Sequence, residues 1–178
     1  PIAAASSGEA SAGSTLAASA RVANAIRQAG AFVKYVSDSA IDEKNATLLL
    51  VAEVAKKIAS GQAVPLGDET QMQIVLGAVV ETAGFSSNLG GSDLEAAARL
   101  LVSADELIVE SQATNGQPEA LAIDLAKIQA VVEDSVVSGF EKLRIEGGTP
   151  ISLAESQTKE SLSGQRDSFA GVNVFPPK

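Results

Sequence analysis

Residues 92–115 read SDLEAAARLLVSADELIVESQATN, and they hold a helix start, a helix face and a helix stop in order. Ser92, with Glu95 three residues on, forms a capping box, in which each side chain satisfies a backbone N–H left free at the helix end. Leu94, Ala97, Ala98, Leu101 and Ile108 then fall on one stripe at helical spacing. Asn115-Gly116 closes the segment.

The same grammar extends outward in both directions. Upstream, Asp68 and Gln71 repeat the capping-box spacing ahead of Met72, Val75, Leu76, Val79 and Val80, with Gly84 as the stop. A helix from Asp42 to Gly61 carries Leu50, Val51, Val54 and Ile58, and Leu48 and Leu49 widen its stripe toward burial on much of its circumference. The spacing of Val22, Ile26, Ala29, Val33 and Val36 predicts a further helix from a Ser14 or Thr15 cap to about Ser37. Downstream, Pro118 suits the first position of a helix. Leu121, Leu125, Ile128, Val132, Val136 and Leu143 continue it to about Ile145, before Gly147-Gly148 and Pro150.

Both ends lack this pattern. Residues 1–14 are Ala, Ser and Gly with one Glu, and predict a flexible or partner-ordered arm. Residues 147–178 predict an extended C-terminal arm, with one short turn around Leu153. The expected fold is therefore all-α: a bundle of about five helices over residues 15–146, with an extended arm at each end.

Composition narrows the function. The formal net charge is −9 and the 13 basic residues are scattered, which argues against a nucleic-acid partner. No apolar run approaches a transmembrane span, the longest being Leu48 to Ala52. The start at Pro1 fits either a removed initiator Met or a cleaved leader. With no His and no Cys, the commonest general base, transition-metal ligand and thiolate nucleophile are all missing. No metal and no cofactor is expected.

The remaining chemical candidates are weak. Asp105/Glu106, Glu106/Glu110 and Glu133/Asp134 are carboxylate pairs that could serve a hard cation or acid/base chemistry, but each falls on a helix, on or beside its polar face, where solvation is the ordinary role. Ser156 and Lys159 match an S-x-x-K nucleophile pattern without its companion motifs. The glycines form no phosphate-binding loop and punctuate elements instead. Asn45-Ala-Thr47 fits a glycosylation sequon.

The C-terminal arm stands out by carrying Phe169, Val172, Val174 and Phe175 ahead of two prolines. Aromatic anchors on an extended segment suit docking in a groove, on the same chain or a neighbour. The sequence thus predicts a non-enzymatic structural subunit that assembles with copies of itself into a filament, sheath or shell, through helix faces and arms. An extracellular or surface-assembled setting is favoured over the cytoplasm. The alternative is a helical binding module for an apolar ligand, a lipid surface or a protein partner.

Overall fold

The computed structural model of the chain describes residues 2–169, with side-chain surroundings from residue 12 onward. It is all-α, but the expected count of about five helices is too low: seven are present among the described residues. α1 spans Ile2–Val36, α2 Glu43–Ala59, α3 Glu69–Ala83 and α4 Gly91–Thr114. α5 runs unbroken over residues 118–146, as Pro118–Val132 and Ser138–Glu146 joined by a π turn at Glu133–Val137. α6 is Pro150–Ser156 and α7 is Lys159–Ser168.

The two expected arms account for the miscount. The chain is helical from Ile2 instead of beginning with an arm over residues 1–14. Ala is the strongest helix former, and an Ala run needs no apolar period to extend a helix already nucleated further along. The extended arm over 147–178 is likewise overturned as far as Ser168. α7 opens at Thr158, whose hydroxyl accepts the N–H of Ser161 at 3.3 Å. α6 and α7 are too short to display a period, and each is anchored by few buried side chains: Pro150, Leu153 and Ala154 on one, Leu162 on the other. α6 lies close on α5 because residue 139 is glycine. A Cβ there would come within 2.6 Å of Leu153.

Three layers result. α1 and α4 pack on each other in the middle, α2 and α3 cover one side, and α5, α6 and α7 cover the other. α1 is therefore enclosed from more than one direction, and Ala17, Ala20, Ala29, Phe32, Val33 and Val36 are all buried. The Phe32 and Phe140 rings meet at 5.7 Å between centroids where α1 crosses α5. Tyr35 stacks on the same ring and donates its hydroxyl to the Gly148 carbonyl at 3.1 Å.

Helix ends follow the expected chemistry with one shift. Asp68 caps α3 through the Gln71 N–H, and Gly84 ends it in the left-handed conformation at φ 84°. α4 starts ahead of Ser92: the Gly90 N–H donates to Asp93 Oδ2 at 2.9 Å. Glu95 instead accepts from Arg99 at 2.8 Å. Between α1 and α2, Asp38 and Ser39 are two consecutive non-glycine residues with left-handed backbone, at φ 46° and 64°. That conformation is uncommon for residues carrying a Cβ.

Polar groups also lie inside. Gln28 is fully buried, and neither its amide nitrogen nor its oxygen meets a hydrogen-bond partner among the described residues; Asn24 Nδ2 shares that state. An unpaired buried amide is unfavourable by about 1–3 kcal/mol. Gln28→Leu is accordingly expected to raise the unfolding free energy by about 1–2 kcal/mol in urea titrations; a loss of stability would mean that the amide is satisfied.

At the surface, Glu141 on α5 bridges Lys34 on α1 at 3.1 Å and Arg144 at 2.6 Å. Hydrogen bonds from Arg144 and then Lys34 hold its carboxyl at about 2, against an ordinary 4.5. A depressed carboxylate stabilises the fold above its unfolded pKa, and that contribution is lost as pH falls through the folded value. Thermal melts of Glu141→Gln should lie below the parent's above pH 4.5 and converge with them toward pH 2. An offset independent of pH would rule out this linkage.

Candidate functional site

α2 packs on α1 and α3 and lies at the edge of the molecule. Of its seventeen residues only Ala46, Leu50 and Glu53 are buried. Leu48 is 57% exposed, Val51 49% and Ile58 63%, and Val22 on the adjoining face of α1 is 51% exposed. The expectation of a helix buried on most sides is thus corrected. Leu50 and Val54 turn inward, while Leu48, Val51, Ala55 and Ile58 face outward at spacings of three and four. A helix with both neighbours on one side can bury only that side.

Val22, Val51, Ala55 and Ile58 rim an apolar cavity of about 450 Å³, whereas Leu48 lies in a separate shallow depression with Asp42, Glu43, Lys44 and Thr47. Val22, Ala25 and Ile26 of α1 form one wall and Val51, Val54, Ala55 and Ile58 of α2 the other. Leu50, Met72, Val75, Leu76 and Leu101 line the interior, and Val64 and Leu66 of the connector complete the lining. Every lining residue is aliphatic or methionine. Protein interiors normally fill to crystal-like density, so an apolar groove of this size, open to solvent past Val22, Val51 and Ile58, marks a face that the fold leaves unfilled.

Beside this cavity sits a two-pronged ion pair between distant segments. Arg21, next to Val22, donates from Nε and Nη2 to the two carboxylate oxygens of Asp105 at 2.6 and 2.8 Å. Asp105 is buried one turn beyond Leu101, and a Cβ on Gly67, next to Leu66, would stand 3.1 Å from its carboxylate. The pair locks α1 to α4 at the edge of the apolar lining. The hydrogen bond to Asp105 raises the Arg21 pKa above its already high ordinary value.

The residues singled out from sequence are dispersed. Phe169 follows α7 and lies half-exposed in a shallow depression with Val131, Asp134, Gly164 and Ser168. Val172, Val174 and Phe175 lie outside the described residues. The carboxylate pairs separate: Asp105 goes to Arg21 and Glu106 to solvent, Glu110 binds Lys159 at 3.1 Å, and Glu133 binds Arg27 at 3.0 Å. Ser156 Oγ donates to the Leu153 carbonyl, while Lys159 faces Glu110. Among the described residues no group of three or more His, Cys, Asp or Glu is placed to hold a metal ion, and no helix is long and apolar enough to cross a membrane.

Sequence reasoning passed over the groove itself. Its trace is the apolar excess on α2, too wide for a helix with a single buried face. Comparison with protein-family models, curated proteins and solved structures finds no match to this chain.

Removing one partner of a largely buried ion pair strands the other, although Arg21 keeps a third of its side chain in water. Asp105→Ala is expected to destabilise the fold by about 1–3 kcal/mol, discounted for that screening. Unchanged urea unfolding would show that the pair contributes nothing.

Proposed function

We propose that this chain is a helical binding module whose working surface is the apolar groove between α1 and α2. The observation that carries this is the exposure of Val51, Ile58 and Val22 around a wholly apolar cavity. Isolated exposed aliphatics are ordinary, but a contiguous set around a concavity is the usual mark of a contact site. A groove between two helices with outward residues at spacings of three and four suits an amphipathic helix, which would lay its own apolar stripe between theirs. The work is contact, and the part of the molecule that does it is a helix face. A structural subunit held together by helix faces is one form of such contact.

A second reading, a small apolar ligand within the cavity, is favoured by its volume. About 450 Å³ falls in the range of sites for compact organic ligands. Filling the interior separates the two: Ala25→Leu would remove a small-molecule site yet leave the exposed ridges of α2 able to receive a helix.

The test uses Nile red, whose emission moves to the blue in apolar surroundings. Dilute native protein is expected to give that shift, and the double variant Val51→Glu, Ala55→Glu to lose it while keeping its helicity by circular dichroism. Native protein that leaves the dye with its aqueous emission would overturn the proposal, as would a double variant that binds as well as the parent.

A further inference from the structure

Asn115 and Gly116 lie where α4 gives way to α5, in a connector of three residues. Of the five asparagines in the chain, Asn115 alone precedes a glycine. That order matters chemically. A backbone nitrogen can attack the side-chain amide carbon of the residue before it, and a following residue without a Cβ leaves the approach clear. Gly116 is exposed, and its N–H makes no hydrogen bond among the described residues. The two residues line a surface depression of about 280 Å³ with Gln112, Pro118 and Leu121, where water reaches both groups. None of these residues lines the groove between α1 and α2.

The amide itself is tied down. Asn115 Nδ2 donates to the Ser111 carbonyl at 2.9 Å, to Ser111 Oγ at 3.1 Å and to Asp124 Oδ2 at 3.4 Å. Three acceptors around its two N–H bonds hold the side chain back over the last turn of α4. Ser111 is fully buried and donates its own hydroxyl to Asp124 at 2.6 Å. Arg166 of α7 stands 3.7 Å from the same carboxylate. The amide thus belongs to a cluster that joins α4, α5 and α7.

We propose that Asn115 is a site of spontaneous deamidation, gated by this cluster, and that the modified residue loosens the junction its amide fastens. The Gly116 nitrogen gives its proton to solvent and bonds Asn115 Cγ; the Cγ–Nδ2 bond breaks, and that nitrogen leaves as ammonia. Water then opens the resulting succinimide at either carbonyl, giving aspartate or its isoaspartyl isomer. In the folded chain the amide reacts only when the end of α4 opens and releases it. Both products withdraw the donor from all three acceptors. Aspartate also sets a second carboxylate beside Asp124, and like charges at that range disfavour each other. The isoaspartyl form adds a carbon to the backbone of a connector only three residues long. Modification runs one way, from a fastened junction to a loosened one, at a rate set by how often the junction opens.

The test is ageing of the full chain in mildly alkaline buffer, with peptide mapping by mass spectrometry to read the exchange of –NH2 for –OH at Asn115. Conversion is expected, about tenfold or more slower in the folded chain than in the same chain held in urea. Ser111→Ala and Asp124→Ala each remove an acceptor and should speed conversion several-fold in chains that circular dichroism shows to be folded. Gly116→Ala should slow it in both states. No atom lies within 4 Å of where the new Cβ would stand, and the backbone there is not left-handed, so that control leaves the fold undisturbed. Asn115→Asp reproduces one product. It should lower the midpoint of thermal unfolding and speed amide hydrogen exchange in the last turn of α4 and the first turn of α5, leaving α2 and α3 unchanged. A folded chain that converts as fast as the unfolded one overturns the gate, as do folded Ser111→Ala and Asp124→Ala chains that convert no faster than the parent. Asn115→Asp with the parent's melting and exchange overturns the loosening. An Asn115 that stays intact in urea overturns the site altogether.

Discussion

The enclosure of α1 is the constraint on which the rest of the structure depends. With three per cent aromatic residues and no tryptophan, the core is filled with Ala, Val, Leu and Ile, each burying modest area. Such a core gathers its stability from many close helix contacts. A helix placed between two layers, with alanines at 17, 20 and 29 in its buried faces, provides them. Phe32, Val33 and Phe140 then fill the space where α1 crosses α5. The Arg21–Asp105 fork and the Lys34–Glu141 bridge fasten α1 to the middle and outer layers.

The outer layers differ in how completely they close. α5, α6 and α7 form a well-tied sheath: Ser111 Oγ donates to Asp124 at 2.6 Å, and Arg166 lies beside the same carboxylate at 3.7 Å, joining α4, α5 and α7. On the other side α3 is held by five buried aliphatic or methionine side chains, but α2 has few inward residues and an open apolar groove between it and α1. The asymmetry leaves Val51 and Ile58 of α2 and Val22 of α1 uncovered around one groove, and this is the surface that the proposed contact would use.

How far the sequence disclosed this depended on whether a period was long enough to register. The capped, striped helices α3, α4 and α5 were legible, and their core residues Met72, Val75, Leu101, Ile128 and Val136 are buried as their spacing demands. The N-terminal part of α1 was not, because an Ala-Ser run has propensity without amphipathicity. α6 and α7 were not, because two-turn helices are specified by caps and by tertiary partners such as Gly139, which meet only in three dimensions. The groove was half legible. Leu48, Val51 and Ile58 were recognised as apolar helix positions, but periodicity reports how wide a stripe is and not how many neighbours the fold will set against it. The π turn at Glu133–Val137 left no local mark, since Val132 and Val136 keep a four-residue step across it.

The place of α1 in the middle layer also sets the order in which the molecule matures. Its partners arrive late in the chain: Asp105 lies 84 residues beyond Arg21, and the carbonyl of Gly148 lies 113 beyond Tyr35. On the ribosome α1 is made well before it is enclosed: α2 can cover one side soon after, but the sides that face α4 and α5 wait until those helices have emerged. Long-range closure of that kind slows folding and leaves nascent chains open to mispairing with one another. An alanine-rich face, weakly adhesive compared with one built from leucine or phenylalanine, is well suited to that interval.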